Sequence, residues 1–132
     1  MNRTIKFRGK SIYDEEWLYG SLIKIEKDRY AVIPSLNDIE IGKSIGMYEV
    51  CLETIGQFTG LYDKNGKEIY EGDILFIGND GDKNIYNKVS IKDGCFGYIG
   101  EWTCKIIPFC YYSVTEEIAG NIYDNPELIK EE

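Results

Sequence analysis

Apolar and polar residues alternate with period two along most of this chain, which is the signature of strands with one covered face. Ile5 and Phe7 fall on one side of the first segment and Lys6 and Arg8 on the other, so a half-buried strand with a cationic outer face is expected. Trp17, Tyr19, Ser21, Ile23 and Ile25 keep the same period. After Glu26-Lys27-Asp28-Arg29 comes Tyr30-Ala31-Val32-Ile33, ended by Pro34, and the two runs read as a hairpin. Residues 34–47, rich in Asn, Asp, Gly and Ser, read as a loop or a weak strand.

The stretch TGLYDKNGKEIYEGDIL (59–75) predicts two strands folded on a tight turn. Asp63-Lys64-Asn65-Gly66 suits a type I turn, in which Asp63 can bond its own downstream backbone and Gly66 takes positive φ without steric cost. The pattern is that of a three-residue hairpin with a glycine bulge. Glu71-Gly72-Asp73 predicts a second bend, and Ile74-Leu75-Phe76-Ile77 a fully buried strand. Val89 and Ile91 alternate before an Asp93-Gly94 turn. Phe96–Trp102 is aromatic and broken by glycine, and Pro108 interrupts or ends a strand containing Ile106 and Ile107. Residues 114–122 offer a last strand, with Gly120 inside it. Asn125-Pro126-Glu127 then predicts an N-cap, a proline at the first helical position and an acid in the first turn of a short helix.

Short strands at this spacing, with turn signals between them, argue for an all-β protein of small antiparallel strands in a barrel or sandwich. At 132 residues the chain is one compact unit or two very small ones, and it needs no disulfide to fold. Eleven tyrosines suit strands and interfaces. The net charge of −8 opposes non-specific binding to a phosphate backbone. That charge is uneven: residues 1–55 carry 8 basic and 9 acidic side chains, and residues 56–132 carry 7 and 14. No membrane partner is expected, because no run of about 18 apolar residues occurs. MNRTIKFRGK lacks the apolar core of a secretory signal, which points to the bacterial cytoplasm, with Cys51, Cys95, Cys104 and Cys110 as reduced thiols.

Chemistry is sparse. The chain has no histidine, so the usual acid–base group near neutral pH, a serine triad of the ordinary kind and the commonest zinc ligand are all missing. The cysteines are separated by 43, 8 and 5 residues, without a C-x2-C knuckle, and no metal or other cofactor is expected. Asp80-Gly81-Asp82-Lys83-Asn84 imitates the start of a calcium loop, but Ile85 and Ile91 stand where the loop needs Gly and Glu. Glu71 and Asp73, two residues apart, would share a strand face and are the best pair for acid–base catalysis, but no base, oxyanion donor or nucleophile accompanies them and ordinary turn chemistry around Gly72 is the preferred account. Trp102, Phe109, Tyr111 and Tyr112 could stack on bases, with Lys105 alone to hold a backbone, or pack in a core or subunit contact.

TGLYDKNGKEIYEGDI (59–74), IAGNIYDNPELI (118–129), IKFRGK (5–10) and WLYG (17–20) together resemble the YopX-like family of bacteriophage and prophage proteins. Where the family usually reads TGLKD, this chain has Tyr62. The resemblance implies an N-terminal β region over 1–55, an SH3-like barrel over 56–132 and assembly into homo-oligomers. It implies no activity and carries over no catalytic residue. Gly60, Gly66, Gly72, Gly120, Asn125 and Pro126 match family positions and read as turns, a bulge and a helix start. The expected function is a non-enzymatic oligomeric module that binds a host or phage protein. Lys6, Arg8, Lys10, Trp102, Tyr111 and Tyr112 are its candidate contacts. The alternatives are a nucleic-acid-associated accessory protein and an enzyme using Glu71 and Asp73.

Overall fold

The structure, a computed structural model, describes residues 4–34, 46–79, 81–92, 95–99, 107–108 and 116–129. Over these residues the chain is antiparallel β throughout, with helical structure confined to 3-10 turns such as Leu52–Thr54 and Pro126–Leu128. It divides into two compact units, residues 1–58 and 59–132.

In the first unit, β1 (Phe7–Lys10), β2 (Trp17–Glu26), β3 (Arg29–Pro34) and β4 (Tyr48–Val50) precede the start of β5 (Gly56–Tyr62). The strands lie in the order β4-β3-β2-β1-β5. Their twist brings the end of β1 round to β4. Ser11 bridges Val50, the Cys51 N–H donates to the Lys10 carbonyl at 2.8 Å, and the Ile12 N–H donates to the Glu49 carbonyl at 3.2 Å. Gly9 permits this curl, because a Cβ there would lie 2.9 Å from the Cβ of Val50. Ala31, Val32, Val50 and Phe58 are buried here.

The second unit takes the rest of β5, then β6 (Glu68–Tyr70), β7 (Asp73–Asn79), β8 (Asn84–Lys92), β9 (Cys95–Ile99), β10 (Ile107–Pro108) and β11 (Glu117–Asn121). Its five-stranded sheet has the order β10-β9-β8-β7-β11. Ile69, Leu75 and Val89 form the centre of its core, with Leu61, Phe96 and Ile118 packed against them. Each of the three central side chains contributes roughly 1.5–3 kcal/mol relative to exposure.

The turn between β5 and β6 follows from its sequence. The Asp63 N–H donates to the Lys67 carbonyl at 2.8 Å, and Asp63 Oδ1 accepts the Asn65 and Lys67 N–H groups at 2.9 Å each. Gly66 sits at φ 82°, with nothing within 4 Å of a notional Cβ. Strain alone therefore opposes a side chain at this position. Gly66→Val should lower stability by roughly 1–2 kcal/mol in chemical denaturation; an unchanged midpoint would show that the turn can rebuild.

Two expectations need correction. The segment 74–77 is not uniformly buried: Ile74 and Leu75 are, Phe76 is half-covered and Ile77 is exposed. A register shift between Phe76 and Gly78 lifts this end, where Phe76 meets Tyr86 with ring centroids 5.8 Å apart. Asn125 precedes the Pro126–Leu128 turn, yet its side chain does not cap it. Its Oδ1 instead accepts the Asn121 N–H at 3.2 Å, and Gly120 leaves room for that amide, since a Cβ there would lie 2.7 Å from Asn125 Cγ. Directly after residues 34–47, on a stretch for which no element was expected, Tyr48–Val50 form the paired strand β4, whose Glu49 lies opposite Ala31.

Candidate interaction surface

The candidate cationic face is not a solvated one. Lys6, Arg8 and Lys10 lie on or beside β1, but Arg8 is only 5% exposed, whereas Ile5 is open to solvent. Arg8 pairs with Tyr19 and Lys10 with Trp17 in the β1–β2 ladder. The Arg8 guanidinium lies 4.6 Å from the centre of the Trp17 ring, and the Lys10 ammonium 5.5 Å from it. Both cations therefore share one indole, and the aliphatic stem of Arg8 packs along the sheet. A buried Arg is stable where a ring face replaces part of its water.

The Glu71–Asp73 pair is split by environment. Asp73 is 3% exposed, and its Oδ2 accepts the Tyr70 N–H at 2.7 Å. Gly72 between them has φ 93°; its N–H donates to the Val89 carbonyl and its carbonyl accepts the Ile122 N–H. The bend is a junction of three strands, in which Asp73 bonds backbone. Tyr70 donates its hydroxyl to Glu68 at 2.9 Å. No group of three or more metal-ligating side chains occurs among the described residues. Trp102, Tyr111 and Tyr112 lie outside the described residues.

Asp63 is the most fully engaged carboxylate described. Besides the two turn N–H groups on Oδ1, its Oδ2 accepts the Ile118 N–H of β11 at 3.0 Å. Burial works against its charge. The N–H groups of Ile118, Lys67 and Asn65, with the Lys67 cation, outweigh that and hold the carboxyl below the usual aspartate range. This is a structural carboxylate, with its lone pairs on backbone.

The first unit carries a different feature. Tyr13, Ile25, Ala31, Met47 and Tyr48 line a shallow groove of about 250 Å3, with the Arg29–Glu49 pair on its wall. This is smaller than the roughly 300–1,000 Å3 of small-molecule pockets and suits a side chain or two. Ala31, opposite Ile23 in the β2–β3 ladder, is fully buried, while Tyr13 is 83% exposed. Arg29 donates from Nη2 and Nε to the two oxygens of Glu49 at 2.8 and 3.1 Å, and from Nη1 to Glu26 at 2.7 Å. The Glu49 carboxyl is lowered first by the Arg29 hydrogen bond, and Arg29 is raised, first by Glu49 and then by Glu26. The two turns that border this region contain the non-glycine residues with left-handed backbone, Glu15 at φ 59° and Asp28 at φ 63°. Among the described residues, nine large apolar side chains of the first unit are exposed, including Ile12, Tyr19, Ile23 and Leu52 beside those of the groove; the second unit exposes Tyr62, Ile77 and Ile91.

Sequence reasoning missed this groove. Met47 ends the stretch read as a loop or weak strand, Tyr48 lies just beyond it, and Tyr13 sits in a turn. No period links them; the curl of the sheet does.

The sequence profile of the family described as YopX protein matches residues 6–130. The fold is similar to that in the crystal structure of protein EF1440 from Enterococcus faecalis, with a TM-score of 0.63 and 26% identity over 98% of this chain and 100% of that one. No curated protein matches significantly.

Proposed function

We propose that this chain, which belongs to the YopX protein family, is a non-enzymatic protein-interaction module that self-associates and binds a second protein. The observation that carries this reading is that four exposed large apolar side chains of the first unit, Tyr13, Ile25, Met47 and Tyr48, line one groove. Scattered exposed apolar residues are ordinary, but a contiguous group rimmed by charge marks an interface. The five-stranded antiparallel sheet of the second unit supports an SH3-like barrel there. A bacteriophage or prophage product working in the host cytoplasm is compatible with reduced thiols and with a structural relative from a bacterium.

The other readings are weaker on specific grounds. Asp73 is 3% exposed and its Oδ2 accepts the Tyr70 N–H, which fits a structural carboxylate better than an acid–base catalyst. A net charge of −8 opposes a nucleic-acid partner.

Self-association is tested by light scattering across a concentration series, at low and high salt. Lys6 and Lys10 are half-exposed, and a neighbouring copy's acidic second half complements them. Lys6→Glu with Lys10→Glu should lower the oligomeric mass while leaving far-ultraviolet circular dichroism unchanged. A double variant with the parent's mass at every concentration would remove the basic strand from assembly. A parent that scatters as one chain throughout would remove self-association itself.

A further inference from the structure

The geometry points to the groove of the first unit as a docking site for an apolar side chain carried on a basic segment of another protein. This assignment rests on the interaction-module reading and names the chemistry of the second protein's contact.

The floor and walls are apolar: Ala31 at the bottom, with Ile25, Met47 and the rings of Tyr13 and Tyr48 around it. The volume of about 250 Å3 fits one large side chain with a margin for its neighbour, and excludes a folded element. Tyrosine and methionine are the side chains that adapt to an incoming apolar group at low entropic cost or with flexible packing.

The rim decides what flanks that side chain. The charged side chains at the groove are Arg29 and Glu49, with Glu26 bonded to Arg29, which makes two carboxylates against one guanidinium. Arg29 is already engaged by Glu26 and Glu49, so the cation nearest the floor is neutralised within the chain. Two carboxylates against one guanidinium leave the groove's charged edge net negative. A negative rim raises the local concentration of cationic segments and repels acidic ones. A second copy of this chain, with net charge −8, is a poor occupant on that ground. A peptide with Lys or Arg on both sides of a Leu or a ring matches both the floor and the rim.

The test uses the full chain and labelled seven-residue peptides read by fluorescence anisotropy: a central leucine between three lysines on each side, the same with a central serine, and the leucine peptide with glutamates for lysines. The leucine–lysine peptide should bind about tenfold or more tightly than the serine one, the effect of covering much of a leucine side chain. The glutamate peptide should not bind measurably. Tyr13→Ser, a change at a largely solvent-exposed position, should abolish the leucine preference and leave the weak, salt-sensitive binding of the lysines. Equal binding of leucine and serine peptides, binding of the glutamate peptide, or an undiminished preference in Tyr13→Ser would each overturn the assignment. Light scattering on the same samples separates the two readings. Lost discrimination with a mass above one chain defeats the groove alone, and intact discrimination with a monomeric mass defeats self-association alone.

Discussion

Gly20→Ala is expected to lower stability by about 3 kcal/mol, the upper part of the range for forcing extra atoms into packed structure. Gly20 lies in β2 with partners on both sides, Phe7 of β1 and Pro34 of β3. A Cβ at this position would fall on the Ile33 carbonyl oxygen, 2.8 Å from its carbonyl carbon and 2.9 Å from Pro34 Cα. These are backbone atoms of a paired strand and cannot rotate away as a side-chain tip would. Relief requires β3 to shift against β2, which weakens the ladder that also holds Ala31 under the groove. Thermal scans should show the midpoint about 10 °C lower, at the few degrees per kcal/mol expected for this size. Gly46→Ala is the comparison. A Cβ there meets Tyr48 no closer than 3.4 Å, and its effect should stay within about 0.5 kcal/mol. Equal effects of the two changes would show that crowding at β3 is not what requires glycine.

Asp63→Ala should cost nearly as much, about 3 kcal/mol. It leaves the N–H groups of Asn65, Lys67 and Ile118 without their acceptor. Hydrogen bonds to a charged group contribute roughly 1.5–3 kcal/mol each; water can reach the two turn donors and moderates the sum. Asp63→Asn, which keeps one carbonyl oxygen, should fall between. The sign of the pH dependence follows from the lowered carboxyl. The folded protein releases this proton more readily than the unfolded chain, so the contribution is complete above the ordinary aspartate value of about 3.9 and is lost as pH falls through the lower, folded value. Denaturation midpoints between about pH 5 and pH 2 should therefore fall less steeply in Asp63→Ala than in the parent. Parallel curves would show that other carboxylates govern the acid limb.

The strand over 17–25 was legible because apolar residues recur there every second position, but that period did not tell which face is covered: Tyr19, Ser21, Ile23 and Ile25 are exposed, while Gly20 is buried and Leu22 half-buried. The same logic reversed at β1. Alternation there assigned Arg8 to solvent, since charge alone cannot reveal that Trp17, nine residues on, supplies a ring for the guanidinium. β4 was illegible for another reason. Three residues, Tyr48, Glu49 and Val50, are too few to display a period, and their pairing with β3 is set across a long connection. The groove escaped the sequence altogether, being a meeting of a turn, two strands and a strand end. At Gly72, Asp73 accepts the Tyr70 N–H, the turn chemistry that the sequence offered for this stretch.

The two oxygens of Asp63 look in different directions along the chain. Oδ1 serves residues two and four positions on, whereas Oδ2 serves Ile118, 55 positions on. During synthesis the first pair of bonds can close as soon as the turn leaves the ribosome, on the microsecond scale of a hairpin. The third must wait until Ile118, 55 residues further on, has emerged. Until then the hairpin is anchored by a carboxylate with one oxygen idle and Leu61 and Ile69 beside it lack the cover of β11. The second unit is thus a late-maturing one, in which a single side chain times the step from local turn to finished sheet.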